Sequence, residues 1–199
     1  MLSIILKTSI NNNTYEDKDK TITLADINWN DYLELSRKNP EYRFSYYKNI
    51  ITIMSPSRNH ERIKKTIAIL IETYCRLKKI KFFALGSSDI KKPPEAAKQP
   101  DESYCFETEK YFPDLAIEVV FSSGGIKDLE KYKALGIKEV WFWENNQLEI
   151  YIITDSNYYL TSSSFHLPMA NTELLSKYIS RGFSEDILTI QTEFSEELN

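Results

Sequence analysis

The chain has 199 residues, the size of one ordinary domain, and its 42% hydrophobic and 13% aromatic content exclude a disordered chain and let it bury a core without disulfide staples. A formal net charge of −4 excludes a uniformly basic nucleic-acid binder but not a local one: residues 58–98 hold eleven Lys/Arg against four Asp/Glu, whereas residues 183–199 hold five acids and no base. Cys75 and Cys105 lack metal-type spacing, which fits a reducing cytoplasm, and no run approaches the roughly 18 apolar residues of a membrane-spanning helix.

In chain order, MLSIILKTSI lacks a basic n-region and a small-residue cleavage site, so it is expected to be a strand or arm and not a signal peptide. The polar run NNNTYEDKDK reads as a loop that completes an N-terminal arm over 1–20. Residues 28–38 read as a short helix stopped by Asn39-Pro40. Strands 42–47 and 50–54 flank Lys48-Asn49 as a hairpin. Ser57 or Asn59 caps a long helix whose apolar positions Ile63, Ile67, Leu70, Ile71, Tyr74 and Leu77 follow helical spacing, with Lys78 and Lys79 at its negative end. A strand over 81–85 precedes a Lys- and Pro-rich loop over 86–100, and a further strand is expected over 103–107.

Residues 115–121, LAIEVVF, form an almost wholly apolar, β-rich run, expected at the centre of a sheet with both faces covered. The turn Ser122-Ser123-Gly124-Gly125, a helix over 126–135 capped by Gly136, and strands over 139–143 and 147–153 joined by Glu144-Asn145-Asn146 follow. Residues 158–161 add a strand, and 171–178 and 184–194 read as helices. The pattern predicts a single α/β domain over 1–199, a mixed central sheet flanked by helices, with a C-terminal helical segment from residue 170.

Glu118 is the single charge inside the central strand, and a carboxylate there is tolerated when strand alternation turns it to solvent, when a lysine pairs with it, or when it holds a metal. Two acids each follow a proline at a strand start: Asp101 before the 103–107 strand and Asp114 before the central one. Asp114 and Glu118 are four residues apart, so an extended strand puts both on one side. Oxygen ligands of this kind suit Mg²⁺, which takes one or two carboxylates plus water and substrate phosphate.

The run PDLAIEVVFSSGGIKDLEKYKALGIKEVWFW closely resembles the Uma-type family of restriction-endonuclease-like proteins, common in cyanobacteria, through Pro113-Asp114, Glu118-Val119-Val120, Ser122 to Gly125, Tyr132, Leu135-Gly136-Ile137 and Glu139-Val140-Trp141. ITIMSPSRNHERI and QPDESYCF are similar to family segments in the expected order, and the resemblance spans roughly residues 40–155. It implies the restriction-endonuclease-like fold of the PD-(D/E)xK nuclease superfamily, a Mg²⁺ (or Mn²⁺) cofactor, and a nucleic-acid substrate, DNA by preference. On this resemblance Asp101 and Glu118 are the metal-binding acids, with Asp114 as a third ligand or a structural support. Glu61 is an acid from the first core helix, beside His60 of the SP…H segment. A carboxylate-bound Mg²⁺ would lower the pKa of a water and polarise a phosphate, and a lysine would offset the developing charge. A homodimer, pairing two sites for two strands, is expected by analogy.

The chain departs from the superfamily pattern. Two residues after Glu118, where a lysine is usual, stands Val120. Four residues before Tyr132, where the family supplies a helical lysine, stands Asp128, which leaves Lys127 as the candidate and Lys131 as the fallback. Thr52 stands where the family often carries an acid. Two functions therefore compete: a metal-dependent endonuclease acting on DNA, and a catalytically degenerate module of the same fold that binds nucleic acid or a protein partner. A glycosidase with paired carboxylates is the third class, and nothing else in the sequence points to a sugar cleft.

Overall fold

The computed structural model describes residues 18–121 and 124–198. The expected N-terminal strand, most of the loop after it and Ser122-Ser123 lie outside the described residues. Eleven strands and five α-helices occur among them: β1 (Lys20–Leu24), α1 (Trp29–Lys38), β2 (Arg43–Tyr47), β3 (Ile50–Ser55), α2 (Arg58–Lys78), β4 (Phe82–Ala84), β5 (Ile90–Lys92), β6 (Ala96–Lys98), β7 (Glu102–Phe106), β8 (Leu115–Val120), α3 (Leu129–Leu135), β9 (Glu139–Glu144), β10 (Gln147–Thr154), β11 (Asn157–Thr161), α4 (Thr172–Arg181) and α5 (Ile187–Leu198).

The strands make two sheets. One is five-stranded and antiparallel in the order β1-β3-β2-β6-β5; the other is six-stranded and mixed in the order β11-β10-β9-β8-β7-β4. In the mixed sheet β8 and β9 run parallel, Leu115 opposite Glu139 through Val120 opposite Glu144. Their crossover is a 3₁₀ turn, Gly125–Asp128, followed by α3, which Gly136 ends in the left-handed conformation at φ 79°. The expected single helix over 126–135 is thus split. Lys48 and Asn49 both take positive φ, and this twist closes the β2–β3 hairpin.

Every residue of β8 is buried, and its alternation serves two cores. Leu115, Ile117 and Val119 pack with residues of α2, α4 and α5, including Ile67, Ile71, Tyr178 and Phe194. Ala116 and Val120 pack on the other face with Leu129, Tyr132 and Leu135 of α3. Glu118 lies on that second face by the same alternation.

The antiparallel sheet is divided in the same way. Phe44, Tyr46, Ile51, Ile53 and Ala97 form an apolar face under Tyr32 and Leu35 of α1. Arg43, Ser45, Thr52 and Lys98 alternate onto the opposite face, since Ser45 is opposite both Thr52 and Lys98 in the ladder. The stretch expected as a loop over 86–100 contains β5 and β6. Their three-residue strands are too short for alternation to show, and the pair is held by burial: Ala96 and Ala97 are fully buried, one toward α3 and one opposite Tyr46.

Candidate functional site

Glu118 is 6% exposed, and an unpaired carboxylate at that depth would be costly. It is met by the Tyr132 hydroxyl from α3, which donates to Oε1, and by the Lys98 ammonium from β6, whose Nζ lies 3.2 Å from the same oxygen. Lys98 also reaches Asp128 Oδ2 at 2.7 Å, and Lys131 reaches Asp128 Oδ1 at 2.9 Å and donates to the Ser45 hydroxyl at 3.1 Å. Burial works against charge on Lys98, but Asp128 and Glu118 outweigh it and push its ammonium above the usual lysine range. Burial likewise opposes ionisation of Asp128, yet Lys98 and Lys131 hold its carboxyl well below the usual range. Lys131 is pushed down by burial and by the Lys98 charge, against the pull of Asp128 and Glu118. Burial and the Glu118 carboxylate raise the Tyr132 phenol.

A second polar group adjoins the first. Asp101 has no exposure, and its backbone N–H donates to Ile117 O at 3.0 Å while its Oδ2 accepts from Val119 N–H at 2.6 Å. Asp101 therefore binds the peptide groups on both sides of Glu118 and extends the β7–β8 ladder by one position. Its Oδ1 receives the Arg43 guanidinium and lies 2.8 Å from His60 Nε2. His60 is fully buried, and its Nδ1 lies 2.8 Å from Asp19 Oδ2. Asp19 also accepts from Ser57 N–H at 2.8 Å, and Ser57 caps α2 by accepting from His60 N–H at 3.2 Å. Burial raises the Asp19 carboxyl, but the hydrogen bond and charge of His60 and the bonds from Ser57 more than offset it and leave it below the usual range. Arg43 Nη2 donates to Glu61 Oε1 at 2.6 Å, and Glu61 is held in turn by Lys64.

A cleft of about 730 Å³ opens between the polar face of the antiparallel sheet and the C-terminal end of β8. Arg43, Ser45, Thr52 and Lys98 line one wall; Glu118, Lys127, Asp128 and Lys131 line the other.

Of the residues singled out in the sequence, Asp101, His60 and Glu61 join one polar group, Glu61 through Arg43, and Glu118 belongs to the neighbouring group that lines the cleft. Asp114 joins neither. Its Oδ2 accepts from Phe106 N–H at 2.8 Å and pairs with Lys110, so it braces the β7–β8 connection. The four-residue step from it to Glu118 spans about 13 Å of strand, so sharing a side does not bring the two together. No group of three His, Cys, Asp or Glu poised for a metal ion occurs among the described residues, so the set Asp101, Glu118 and Asp114 does not converge. Lys127 is exposed on the rim, whereas Lys131 is inside and committed to Asp128. The residues missed by sequence reasoning are Lys98, Arg43 and Asp19. The one local signal was for Lys98, a lysine three residues before Asp101.

Comparisons agree with this architecture. The family model Uma2, described as "Putative restriction endonuclease", matches residues 29–190. The crystal structure of a putative nuclease belonging to DUF820 from Anabaena variabilis ATCC 29413 matches with a TM-score of 0.55 at 14% identity, over 77% of this chain and 99% of that chain. At that identity the likeness is one of fold. No curated protein matches the chain.

Proposed function

Since the chain belongs to the Uma2 family and has its restriction-endonuclease-like fold, we propose that the cleft beside Glu118 binds the phosphodiester backbone of DNA. The observation that carries this reading is the lining of the cleft. Lys127 on the rim and the hydroxyls of Ser45 and Thr52 face the cleft as donors suited to phosphate oxygens, beside Arg43, Lys98 and Lys131, whose charges are shared with Asp101, Glu61, Glu118 and Asp128. Lys127 on the rim is the first cation an approaching backbone would meet. Binding of this kind weakens as salt rises, because phosphate contacts release counterions. In fluorescence anisotropy with a labelled duplex, Lys127→Glu should weaken binding at every sequence and lower the log–log salt slope by about one. Unchanged affinity and slope would remove the cleft from the binding surface.

The second reading is hydrolysis of that phosphodiester, with Asp101 and Glu118 as ligands of Mg²⁺ or Mn²⁺ and Lys127 orienting a water. The binding of Asp101 to the peptide groups on both sides of Glu118 favours it, with His60 directly and Glu61 through Arg43 positioning Asp101. A second copy of the chain would supply the site for the other strand. The residues as arranged do not fit a resident divalent ion. Asp101 is wholly buried and accepts from Val119 N–H, His60 and Arg43, while Glu118 is engaged by Tyr132 and Lys98. No hydrolytic step is therefore routed through a metal. A plasmid-nicking assay with Mg²⁺ or Mn²⁺ decides between the readings: hydrolysis requires cleavage by the native chain that Glu118→Gln abolishes, and binding without cleavage supports the first reading.

A further inference from the structure

A nuclease of this fold offers its paired acids to a divalent cation, and here both acids already face a cation of the chain itself. The Arg43 guanidinium sits on Asp101, and the Lys98 ammonium lies 3.2 Å from Glu118. Neither cation is loosely held. Arg43 is bracketed by a second acid, Glu61, at 2.6 Å, and Lys98 by a second acid, Asp128, at 2.7 Å. Both come from the same face of the antiparallel sheet, and their side chains are only 15% and 11% exposed. The cations are therefore delivered by the scaffold and are not arms free to swing aside.

We infer that Arg43 and Lys98 are resident counterions that take the place of the divalent metal in this cleft, so that the native chain does not load Mg²⁺ or Mn²⁺ on Asp101 and Glu118. Three physical points support this. A Mg²⁺ ion at about 2.1 Å from Glu118 Oε1 would stand no more than about 5.3 Å from the Lys98 ammonium, a like-charge approach in a poorly hydrated site. Moving Lys98 away would leave Asp128 with one buried partner in place of two. Arg43 and Lys98 are each held between two carboxylates, Asp101 and Glu61 for one and Glu118 and Asp128 for the other, so displacing either cation strands an acid at both of its ends. The departures along the chain agree: Val120 and Asp128 stand where lysines serve a metal-bound water, and Thr52 stands where the family often has an acid.

The test is Mn²⁺ binding by the full chain, read by loss of the free-ion electron paramagnetic resonance signal and independent of any activity. The native protein should bind no Mn²⁺ up to the millimolar range. Lys98→Met leaves Glu118 without its ammonium and should gain a site at least about tenfold tighter, lost again in the Lys98→Met, Glu118→Gln double variant. Stoichiometric binding by the native chain that Glu118→Gln or Asp101→Asn abolishes overturns the inference. So does a folded Lys98→Met chain, checked by circular dichroism, that gains nothing. Should Lys98→Met fail to fold, the native titration decides alone. The inference does not depend on DNA binding: loss of duplex affinity without Mn²⁺ uptake removes the proposed function only, and Mn²⁺ uptake with duplex affinity intact removes the inference only.

Discussion

His60 illustrates how much depends on single side chains here. Both of its ring nitrogens face carboxylate oxygens, of Asp19 on one side and Asp101 on the other, and none of the three is exposed by more than 7%. Removing the ring leaves two buried acids short of a partner. His60→Ala should therefore lower unfolding stability by about 3–5 kcal/mol in urea titration, more than an ordinary polar deletion, and His60→Asn should recover part of it. The pH dependence has a definite sign. Asp19 and Asp128 have carboxyls held below their unfolded values, so they add stability above about pH 4 that is lost as pH falls through their lower folded values. Asp128→Asn should flatten the loss of stability below pH 4, and an unchanged acid slope would count against the Lys98–Asp128–Lys131 arrangement. Glu118 could be singled out in the sequence because one charge interrupts an apolar strand. Its lysine partner could not, because Lys98 lies 20 residues upstream in a stretch that reads as loop, and Arg43 reaches Asp101 from 58 positions away. Charge pairs set by tertiary structure leave no local period to detect.

At the scale of elements, the long helix was legible because its 21 residues display the helical period, and the central strand because its run of six buried positions is continuously apolar and β-rich apart from one charge. β5 and β6 were not, since three residues cannot show alternation and the small alanines carry little hydrophobic signal. The choice between Ser57 and Asn59 as cap was settled only by geometry, and Ser57→Ala should cost about 1 kcal/mol, measurable by thermal melting. The junction of α2 with the end of α4 depends on close approach. A Cβ at Gly182 would lie 2.4 Å from Thr66 Oγ1 and 3.0 Å from Ile179 O, so Gly182→Ala should destabilise the chain by about 1–3 kcal/mol. Thr66→Ala in the same chain should restore part of that loss by clearing the hydroxyl. Additive losses in the double variant would show that the backbone contact, and not Thr66, sets the spacing.

Across the whole molecule, the two sheets are joined differently from the way each sheet is covered. Helices cover their outer faces through apolar packing, whereas the shared face combines an apolar seam, Ile90 and Ala96 against Ala116, Val120 and α3, with ion pairs and hydrogen bonds from Arg43, Ser45 and Lys98 beside the cleft. The tryptophans sample both sides: Trp29 packs with the antiparallel sheet, and Trp141 and Trp143 lie in the helix-covered core. Acid titration followed by fluorescence should show the Trp29 environment changing first, and Trp29→Phe should erase that early phase; coincident transitions would mean that the sheets part only when the core melts. Warming should act otherwise. The hydration of freed ions becomes less favourable as temperature rises, so the charged part of the joint holds relatively better when hot. Heat and acid should then dismantle this protein by separate routes: a single cooperative melt in one case, and in the other an unfastening that begins where the sheets meet.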